Sequence, residues 1–525
     1  MQEKLKKSIE KALESLDNKA GEFSLEHPTD LKNGDYSTNV AIKFGHKDEI
    51  KNYLDKHKPE EVERIELAGP GFINFYLSKD FFKESIGEIT KDKNFGKGKH
   101  AKGFKIMVEH TDPNPFKEFH IGHLMPNVIG SALSHVFEWN GAEVKQANYQ
   151  GDVGLHVAKA IWGTLKGEKN PYVAGTKAYE ESESVKEEIQ EINKKIYEKS
   201  DKEINKIYEA GRKISLDEFE KIYKKLGAKF DYYFFESETS EVGKKIVLEN
   251  VGKVFESGDN GATVFKGEKY DPTLHTRVFV NSQGLATYEA KDLGNAKNKY
   301  KKFPYDFSVV VTGNEIKDYF RVVLEAMKQV LPDLAKKTKH LPHGMLRLTT
   351  GKMSSRTGDV ITADELIEEV KKKVKGDEQV AVGAIKYMIL RQAIGNDIVF
   401  DIDKSVSTEG DSGVYLQYAY ARTNSLLEKA DGKIDASAPR ENIHEIEKLL
   451  YRFPEIVERA GKEYAPHYIT TYLTEIAGSF NNFYAHEQVI GDSPEAPYRL
   501  AVVKAFNAVM KNGLSILGIP TPERL

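Results

Sequence analysis

Two histidines at a predicted helix start could bind phosphate. His120, Gly122 and His123 belong to the sequence His-Ile-Gly-His. The first turn of a helix has unpaired backbone N–H groups and the positive end of the helix dipole, so it attracts anions. Imidazole N–H groups can donate to phosphate oxygens, and Gly122 leaves space for a base or ribose. These residues predict a nucleotide-phosphate site, although a helix start that happens to hold two histidines would read the same way.

The segments around these histidines have the order strand, loop, helix. Residues 105–109 are short, apolar and β-branched, which is typical of a buried strand. Pro113 and Pro115 then interrupt regular structure, because proline lacks an N–H donor and restricts its neighbour. After Gly122, apolar side chains recur at helical spacing, at Leu124, Val128, Leu133, Val136 and Phe137. We therefore expect the histidines to lie in the tight connection between a strand and a helix.

A second segment of this kind lies about two hundred residues further along the chain. Residues 351–358 read Gly-Lys-Met-Ser-Ser-Arg-Thr-Gly, a glycine-bounded loop rich in cations and hydroxyls. The pair HIGH and KMSSR, in this order and at this separation, resembles the signature of class I aminoacyl-tRNA synthetases. The resemblance implies an ATP site that comprises His120, Gly122, His123, Lys352, Met353, Ser354, Ser355 and Arg356.

The resemblance also implies how these residues act. His120 and His123 are expected to stabilise developing charge on the phosphates of ATP, and Lys352 to reach the leaving pyrophosphate. Mg²⁺ is expected on the phosphates, without a metal site made by the protein itself.

Several other segments resemble the arginyl type in particular. They are GDYSTNVA (34–41), GPGFINFYL (69–77), ANYQGDVG (147–154), YLQYAYAR (415–422) and LGIPTPERL (517–525). The resemblance covers nearly the whole chain apart from a charged stretch at about 165–250. It implies ATP-dependent ligation of L-arginine to tRNA(Arg) through an arginyl-adenylate, with release of AMP and pyrophosphate.

The chain departs from the usual family pattern at four positions. Ser355 replaces the second lysine of the common KMSKS form, and in arginyl enzymes a lysine just before HIGH is thought to substitute. Lys117 lies at that place and joins His120, His123 and Lys352 as a candidate catalytic residue. The less favoured alternative is an ordinary exposed loop lysine. The other replacements are Glu118 for proline, Val153 for tryptophan and Thr357 for lysine.

Acidic residues are the expected partners of an arginine substrate, because carboxylates accept the fork of guanidinium donors. Glu109 ends the strand before HIGH, and Tyr288 and Asp292 lie one turn apart at a predicted helix start. The resemblance assigns these three residues to the guanidinium group and Asn114 to the α-amino group. Taken alone, Asp292 could instead be a carboxylate that caps backbone donors.

The N-terminal segment predicts a small α/β domain. Its resemblance to the domain that arginyl enzymes place on the outer corner of the tRNA implies that Asn33, Tyr36 and Thr38 contact a D-loop base, Tyr36 by stacking. A simpler interpretation makes Asn33 a turn residue and Tyr36 part of the packing.

The order of predicted elements indicates a multidomain chain. We expect an N-terminal α/β domain at 1–98, a doubly wound parallel-sheet (Rossmann-type) catalytic domain at 99–376, and a connector with a helical anticodon-binding bundle at 377–525. The charge-dense stretch at about 165–250 is interpreted as solvated amphipathic helices inserted in the catalytic domain.

Composition excludes several classes of protein. The 525 residues are 39% hydrophobic and 10% aromatic, which argues against wholesale disorder. A net charge of −4 gives no global basic field, so RNA contacts must come from local patches of the 77 Lys and Arg residues. Without cysteine there is neither a disulfide nor a thiolate zinc site. The absence of a long apolar run predicts a cytoplasmic protein without a membrane span, and we expect a monomer.

Three other functions are compatible with parts of the sequence. The first is a class I synthetase for another amino acid, against which the acidic positions and the domain order argue. The second is a catalytically silent, synthetase-like RNA-binding protein, which the intact His120, His123 and Lys352 disfavour. The third, a generic nucleotidyltransferase with an HxGH motif, leaves both flanking domains unexplained.

Overall fold

A computed structural model describes residues 1–17, 21–349, 361–430 and 434–525. The N-terminal region packs helices on one antiparallel sheet of order β1-β2-β4-β3. Its elements are α1 (Gln2–Glu14), β1 (Leu25–Glu26), β2 (Tyr36–Thr38), α2 (Val40–Phe44), α3 (Lys47–Lys56), β3 (Val62–Ala68), β4 (Phe72–Leu77) and α4 (Lys79–Lys91). Leu5, Ile9 and Leu13 form the buried face of α1 that the sequence periodicity predicts.

The central region is built on a parallel sheet. Its elements up to the last sheet strand are β5 (Lys105–Glu109), α5 (Ile121–Trp139), β6 (Glu143–Gln150), α6 (Leu155–Leu165), α7 (Pro171–Glu181), α8 (Glu183–Glu198), α9 (Lys202–Leu226), β7 (Tyr232–Phe235), α10 (Glu236–Leu248), β8 (Glu256–Ser257), β9 (Thr263–Lys266), β10 (Thr276–Val280), α11 (Tyr288–Lys302), β11 (Phe307–Gly313), α12 (Lys317–Val330), α13 (Pro332–Lys337) and β12 (Thr338–His343). Five strands lie in the order β12-β11-β5-β6-β7, with every pair parallel. Strands β8, β9 and β10 form a separate antiparallel sheet.

The order of the parallel sheet places a switch point beside β5. From β5 the chain proceeds through β6 to β7 on one side, whereas β11 and β12 are added on the other. Connections that leave a sheet in opposite directions open a crevice at the carboxyl ends of the strands, where ligands bind in doubly wound folds. The predicted fold class, including the parallel sheet, is confirmed.

The charged insertion is shorter than the sequence suggests. Helices α7, α8 and α9 lie outside the sheet, and Ile189, Ile192 and Ile196 form a buried face of α8 as expected. However, β7 pairs with β6 in the main sheet, so the stretch up to residue 250 includes a sheet strand and the helix after it. The run Tyr-Tyr-Phe-Phe of β7 is only four residues long and is surrounded by charged sequence. Hydrophobic periodicity over so short a run does not identify a strand.

The C-terminal region is helical and shares its core with the central region. The strands β13 (Leu346–Leu348) and β14 (Ile398–Phe400) form a parallel pair. Between them lie α14 (Ala363–Lys373) and α15 (Glu378–Leu390), and after β14 follow α16 (Ile402–Ser405), α17 (Gly413–Lys429), α18 (Glu445–Leu450), α19 (Phe453–Glu463), α20 (His467–His486) and α21 (Ala496–Ile516). One hydrophobic cluster runs continuously from α5 through α15 to α21. Among the described helices, none is long and apolar enough to cross a membrane.

Candidate active site

The crevice at the carboxyl end of β5 contains a cavity of about 520 Å³. The loop after β5 supplies one wall with Thr111, Asp112 and Asn114, and His120, Gly122 and His123 follow at the start of α5. The ends of β11 and β12 and the start of β13 form the opposite wall. The structure therefore places the HIGH segment in a cavity at the switch point.

The two histidines are held by the backbone of the helix that they begin. His120 is the N-cap of α5, and its Nδ1 accepts a hydrogen bond from the Gly122 N–H at 3.1 Å. The Nδ1 of His123 accepts from the His120 N–H at 3.3 Å, and the two rings stack with centroids 3.9 Å apart. Because each Nδ1 is an acceptor, each neutral ring carries its proton on Nε2. In the described part of the chain neither Nε2 has a hydrogen-bond partner, so two N–H donors remain for a ligand.

Both imidazoles are neutral at physiological pH. Burial, aided by the positive charge of Lys117, lowers the pKa of His120 to about 4. Burial also holds the pKa of His123 well below its ordinary value, with further contributions from His120 and Lys117. The pair can thus donate hydrogen bonds to an anion without gaining or losing a proton.

The segment that follows the KMSSR loop is fastened to the HIGH segment. The Ile121 N–H donates to the Ile361 carbonyl at 3.1 Å, and the Ala363 N–H donates to the Phe119 carbonyl at 2.9 Å. On the other flank, Leu346 of β13 lines the cavity. Lys352, Met353, Ser354, Ser355 and Arg356 themselves lie outside the described residues.

Asn114 and Lys117 lie in the loop between β5 and α5. A Cβ atom at Gly151, just after β6, would lie 2.2 Å from Asn114 Oδ1, so any larger residue there would displace the Asn114 side chain. Lys117 does not line the cavity; its ammonium lies 5.1 Å from the ring of Tyr172, on α7. Its charge nevertheless acts on both histidines.

Glu109 is engaged inside the protein. Its Oε2 forms an ion pair with Lys299 at 2.8 Å and accepts from the Asn295 amide at 2.8 Å. Glu109 and Lys299 are both buried. The structure therefore corrects the expectation of a carboxylate that awaits only the substrate, because Lys299 is already its ion-pair partner at Oε2. Oε1 has no partner in the described part of the chain.

Asp292 has no cationic partner among the described residues. It lies in the first turns of α11, on the same face as Asn295 and Lys299, and its Oδ2 accepts a 2.6 Å hydrogen bond from the hydroxyl of Tyr319. Burial raises the pKa of Asp292 to about 8; the Tyr319 bond lowers it, and Glu109 raises it further. Tyr288, one turn earlier, is 53% exposed. Asp292 is thus a carboxyl group without an ion-pair partner in the described part of the chain, and Lys299 lowers its pKa only as a more distant charge.

Asp112 was not singled out from the sequence, yet it lines the cavity. Its Oδ1 accepts from the Tyr149 N–H at 2.7 Å, and both Asp112 and Thr111 have left-handed backbone angles, with φ of 43° and 82°. Burial, with the nearby charge of Glu109, raises the pKa of Asp112. The signal available in the sequence was an acidic residue just after a strand end and before a proline.

Two of the three predicted tRNA contacts are buried, which corrects the prediction for Tyr36 and Thr38. Tyr36 is fully buried, and its hydroxyl donates to Glu455 of α19. Thr38 is also fully buried, and its hydroxyl donates to the Ser24 carbonyl at 2.6 Å. A ring enclosed between the N-terminal and helical regions cannot stack on a base, so the simpler interpretation as packing holds for Tyr36, and Thr38 is buried as well.

Asn33 is exposed and lines a cavity of about 350 Å³ on the N-terminal region. His27, Ser37, Phe72 and Asn74 line the same cavity. Phe72 is 40% exposed, so an aromatic ring is available here at a different position from the one predicted.

The helical region has an aromatic cavity of about 630 Å³ between α17 and α20. Tyr415, Tyr418, Arg422 and Tyr484 line it, and the Arg422 guanidinium lies 4.3 Å from the Tyr484 ring. Rings and a guanidinium in this arrangement are suited to stacking on an unpaired base.

Three family models match successive parts of the chain. The arginyl tRNA synthetase N terminal domain matches residues 3–77, the catalytic domain of class I (R) tRNA synthetases matches residues 86–402, and the DALR anticodon binding domain matches residues 416–525. The catalytic-domain match alone spans more than half of the chain.

Curated proteins and solved structures agree with these matches. An arginine--tRNA ligase from Halothermothrix orenii is 29% identical over 564 aligned positions, covering 100% of this chain and 99% of that protein. One from Lactococcus lactis subsp. cremoris is 31% identical over 507 positions, covering 90% and 89%. The structure of Thermus thermophilus arginyl-tRNA synthetase superposes with a TM-score of 0.82 at 24% identity, over 100% of both chains. The Plasmodium falciparum structure gives a TM-score of 0.77 at 20% identity, over 100% of this chain and 98% of that one.

Proposed function

The chain belongs to the arginyl-tRNA synthetase family of class I enzymes and charges tRNA with arginine, and we propose that the cavity at the end of β5 is where it does so. One observation carries the assignment. His120 and His123 present two neutral Nε2–H donors at the start of α5, and Asp292 of α11, whose charge acts on the cavity residue Asp112, has no counter-cation among the described residues. An ATP phosphate and the guanidinium of arginine are the complementary groups.

In this proposal the chain uses ATP to activate arginine. An arginine carboxylate oxygen attacks the α-phosphorus of ATP, the bond to the β-phosphate oxygen breaks, and pyrophosphate leaves. His120 and His123 donate to the phosphate oxygens as charge develops on them, and Lys117 adds a positive charge nearby. Lys352 and its neighbours reach the leaving pyrophosphate, an assignment supported by the attachment of residues 361 and 363 to the HIGH segment.

The second step transfers the arginyl group to the tRNA. The 2′-hydroxyl of the terminal ribose attacks the carbonyl carbon of the arginyl-adenylate, and AMP leaves. In this proposal Mg²⁺ binds the phosphates of ATP, whose oxygens are the ligands that this cation prefers. Within the described ranges no three His, Cys, Asp or Glu side chains gather to hold a metal ion.

Arginine is proposed to bind between β5 and α11. Asp292 accepts from the guanidinium, Tyr288 covers it, and the free Oε1 of Glu109 supplies a further acceptor while Lys299 holds Oε2. Asn114 binds the α-amino group. Asp292 is the principal anionic partner, because it alone of the two acids lacks a neutralising cation among the described residues.

The tRNA is proposed to contact the chain beyond this cavity. An unpaired base enters the N-terminal cavity, where Asn33 supplies a polar contact and Phe72 a stacking surface. The aromatic cavity of the helical region receives an anticodon base, consistent with the DALR anticodon binding domain that matches there.

Pyrophosphate exchange with each of the twenty amino acids, with and without tRNA, is the decisive experiment. Of the twenty amino acids, we expect only arginine to support exchange, and we expect tRNA(Arg) to be arginylated in turn. Exchange with a different amino acid would favour another class I specificity, and tRNA binding without exchange would favour a silent RNA-binding protein. Exchange without any transfer to tRNA would favour a generic nucleotidyltransferase. The monomeric state and cytoplasmic location stay predictions.

A further inference from the structure

The inserted helix α9 contacts the loop between β5 and α5 at Phe116, the residue immediately before Lys117. Phe116 has a φ of 68°, a left-handed conformation that is costly for a bulky side chain. Its backbone N–H donates to Ser215 Oγ at 2.9 Å, and the Ser215 hydroxyl donates to the Gly211 carbonyl at 3.0 Å. A residue of the insertion therefore satisfies the one backbone donor of this strained position.

The Phe116 side chain packs against α9, on the helical face that carries Ser215. A Cβ atom at Gly211 would lie 2.3 Å from Phe116 Cε1, so only glycine lets the ring approach this closely. On the preceding turn, the Tyr208 ring stacks on Phe116 with a centroid separation of 6.2 Å and an interplanar angle of 20°. Residues 208, 211 and 215 share one helical face and together form what we call the Phe116 socket.

The Phe116 socket is attached firmly to the catalytic sheet. Asp152, fully buried after β6, accepts from Arg212 at 2.9 Å and from the Tyr208 hydroxyl at 3.2 Å. The Ser237 N–H donates to the other oxygen of Asp152 at 2.9 Å. The socket therefore has a fixed position relative to the carboxyl ends of β6 and β7.

Lys117 is consequently held by the insertion from two directions. Its own N–H donates to the Asn114 carbonyl at 3.2 Å, its neighbour Phe116 occupies the socket, and its ammonium lies 5.1 Å from the ring of Tyr172 on α7. A left-handed residue immediately before a lysine sets the direction in which that lysine leaves the backbone, and strain of this kind persists only where surrounding contacts enforce it.

We propose that Tyr208, Gly211 and Ser215 of the insertion are positioning residues for adenylate formation. They hold Phe116 in its left-handed conformation and thereby hold Lys117 beside the signature histidines. This inference rests on the proposed function, because it takes Lys117 to serve the step at ATP. It gives the charged insertion a definite part in the reaction, in contrast to the solvated surface that its sequence suggests.

Two substitutions in the full-length enzyme test the proposal. Gly211→Ala places a methyl group against the Phe116 ring, and Ser215→Ala removes the acceptor of the Phe116 N–H. We expect each to lower the kcat of arginine-dependent pyrophosphate exchange by about tenfold to a hundredfold, the effect of a displacement of about 1 Å. The KM for arginine should stay unchanged, whereas Ser215→Ala should also lower the thermal midpoint, because the Phe116 N–H loses its acceptor. Ser215→Thr keeps the hydroxyl and should restore kcat.

Ile214→Ala is the matched control, because Ile214 lies on the same helix and is 64% exposed. It should leave every parameter unchanged. If Gly211→Ala and Ser215→Ala behave like Ile214→Ala, the inference is overturned. It is also overturned if kcat per folded enzyme, measured well below the thermal midpoint, is normal in both variants and Ser215→Thr restores only the midpoint, since that pattern describes a purely structural contact.

The double variant Ser215→Ala/Lys117→Met separates this inference from the function beneath it. When the socket acts through Lys117, the double variant should be no slower than Lys117→Met alone. Losses that multiply would overturn action through Lys117. An unmodified enzyme without arginine-dependent exchange would instead refute the proposed function, and normal exchange by Lys117→Met would refute the role of that lysine.

Discussion

The Tyr319 hydroxyl donates a 2.6 Å hydrogen bond to Asp292, and this is the only polar side-chain contact of that carboxylate within the described ranges. A phenol is neutral and can satisfy one lone pair, but it supplies no positive charge. Burial without a counter-cation therefore raises the pKa of Asp292 to about 8. In contrast, Glu109 at the end of β5 has Lys299 as its counter-ion.

Arginine binding should release a proton at neutral pH. The free enzyme holds Asp292 mainly protonated below its pKa of about 8, whereas the bound guanidinium requires the carboxylate. Affinity for arginine should consequently rise with pH, by up to about tenfold per unit, and level off above about pH 8. Calorimetric titration in buffers of different ionisation enthalpy measures the proton directly. Uptake of a proton, or none exchanged at pH 7, would contradict this pKa.

Removal of the Asp292 charge should abolish arginine activation. Asp292→Asn keeps the size of the side chain but cannot form an ion pair with guanidinium, and we expect kcat/KM for arginine to fall by about a hundredfold or more. The KM for ATP should hardly change, since Asp292 does not line the ATP cavity. Asp318→Asn, at an exposed position with 78% side-chain exposure, is the control. Steady-state exchange at the normal rate would remove Asp292 from the arginine site.

The signature histidines should act as neutral donors. Because the pKa of His120 is about 4 and that of His123 is also depressed, kcat at saturating arginine should show no histidine titration between about pH 6 and 8. His120→Ala and His123→Ala should each lower kcat by about 10²- to 10³-fold, whereas glutamine, whose amide N–H reaches near the Nε2 position, should retain part of the rate. His135→Gln, on the same helix, is the control. A rate that titrates near pH 6.5 would show that an imidazole gains a proton in the reaction.

The features that neighbouring residues determine could be predicted from the sequence. The strand, the proline-interrupted loop and the helix periodicity were sufficient to place His120 and His123 at the start of α5 in a doubly wound sheet. The environments of Asp292 and Glu109 were beyond such reasoning. The partner of Asp292 lies 27 residues away along the chain. Glu109 and its partner Lys299 are separated by more than half of the central region. A side chain's charge balance depends on which elements meet, and periodicity does not report that.

The same limit explains the error at Tyr36. In sequence, an aromatic residue after Asn-Gly-Asp is as compatible with a tRNA contact as with packing. Its burial depends on Glu455, which lies 419 residues further along the chain. The short strand β7 was missed for a related reason, because its place in the sheet is fixed by pairing with β6 and not by its own four residues.

Lys352 should assist the departure of pyrophosphate. We expect Lys352→Ala to slow single-turnover adenylate formation by about 10²-fold or more, while arginine binding at equilibrium changes little. The reason is that the described residues on either side of the KMSSR segment lie near the signature histidines and not at α11: Leu346 lines the same cavity, and Ile361 is bonded to Ile121. Lys373→Ala, at an exposed helix end, provides the control. A normal single-turnover rate would exclude Lys352 from the reaction.

Phe72 and Tyr36 should have separable effects, because one ring is exposed and the other is enclosed. Phe72→Ala removes the stacking surface of the N-terminal cavity and should weaken tRNA binding by about 1–3 kcal/mol, without effect on the thermal midpoint. Tyr36→Phe removes the donor to Glu455, whose pKa is lowered by His27 and Tyr36 although burial by itself raises it. When a largely buried carboxylate loses a hydrogen-bond donor, the free energy of unfolding falls by about 1–3 kcal/mol.

We therefore expect Tyr36→Phe to lower the thermal midpoint and to leave tRNA affinity unchanged. Filter binding with tRNA(Arg) and thermal denaturation, applied to both variants, distinguish the two effects. Asn33→Ala should behave like Phe72→Ala, since both residues line one cavity. Loss of tRNA affinity in Tyr36→Phe at an unchanged midpoint would restore Tyr36 as a tRNA contact and would require the N-terminal region to separate from α19 when tRNA binds.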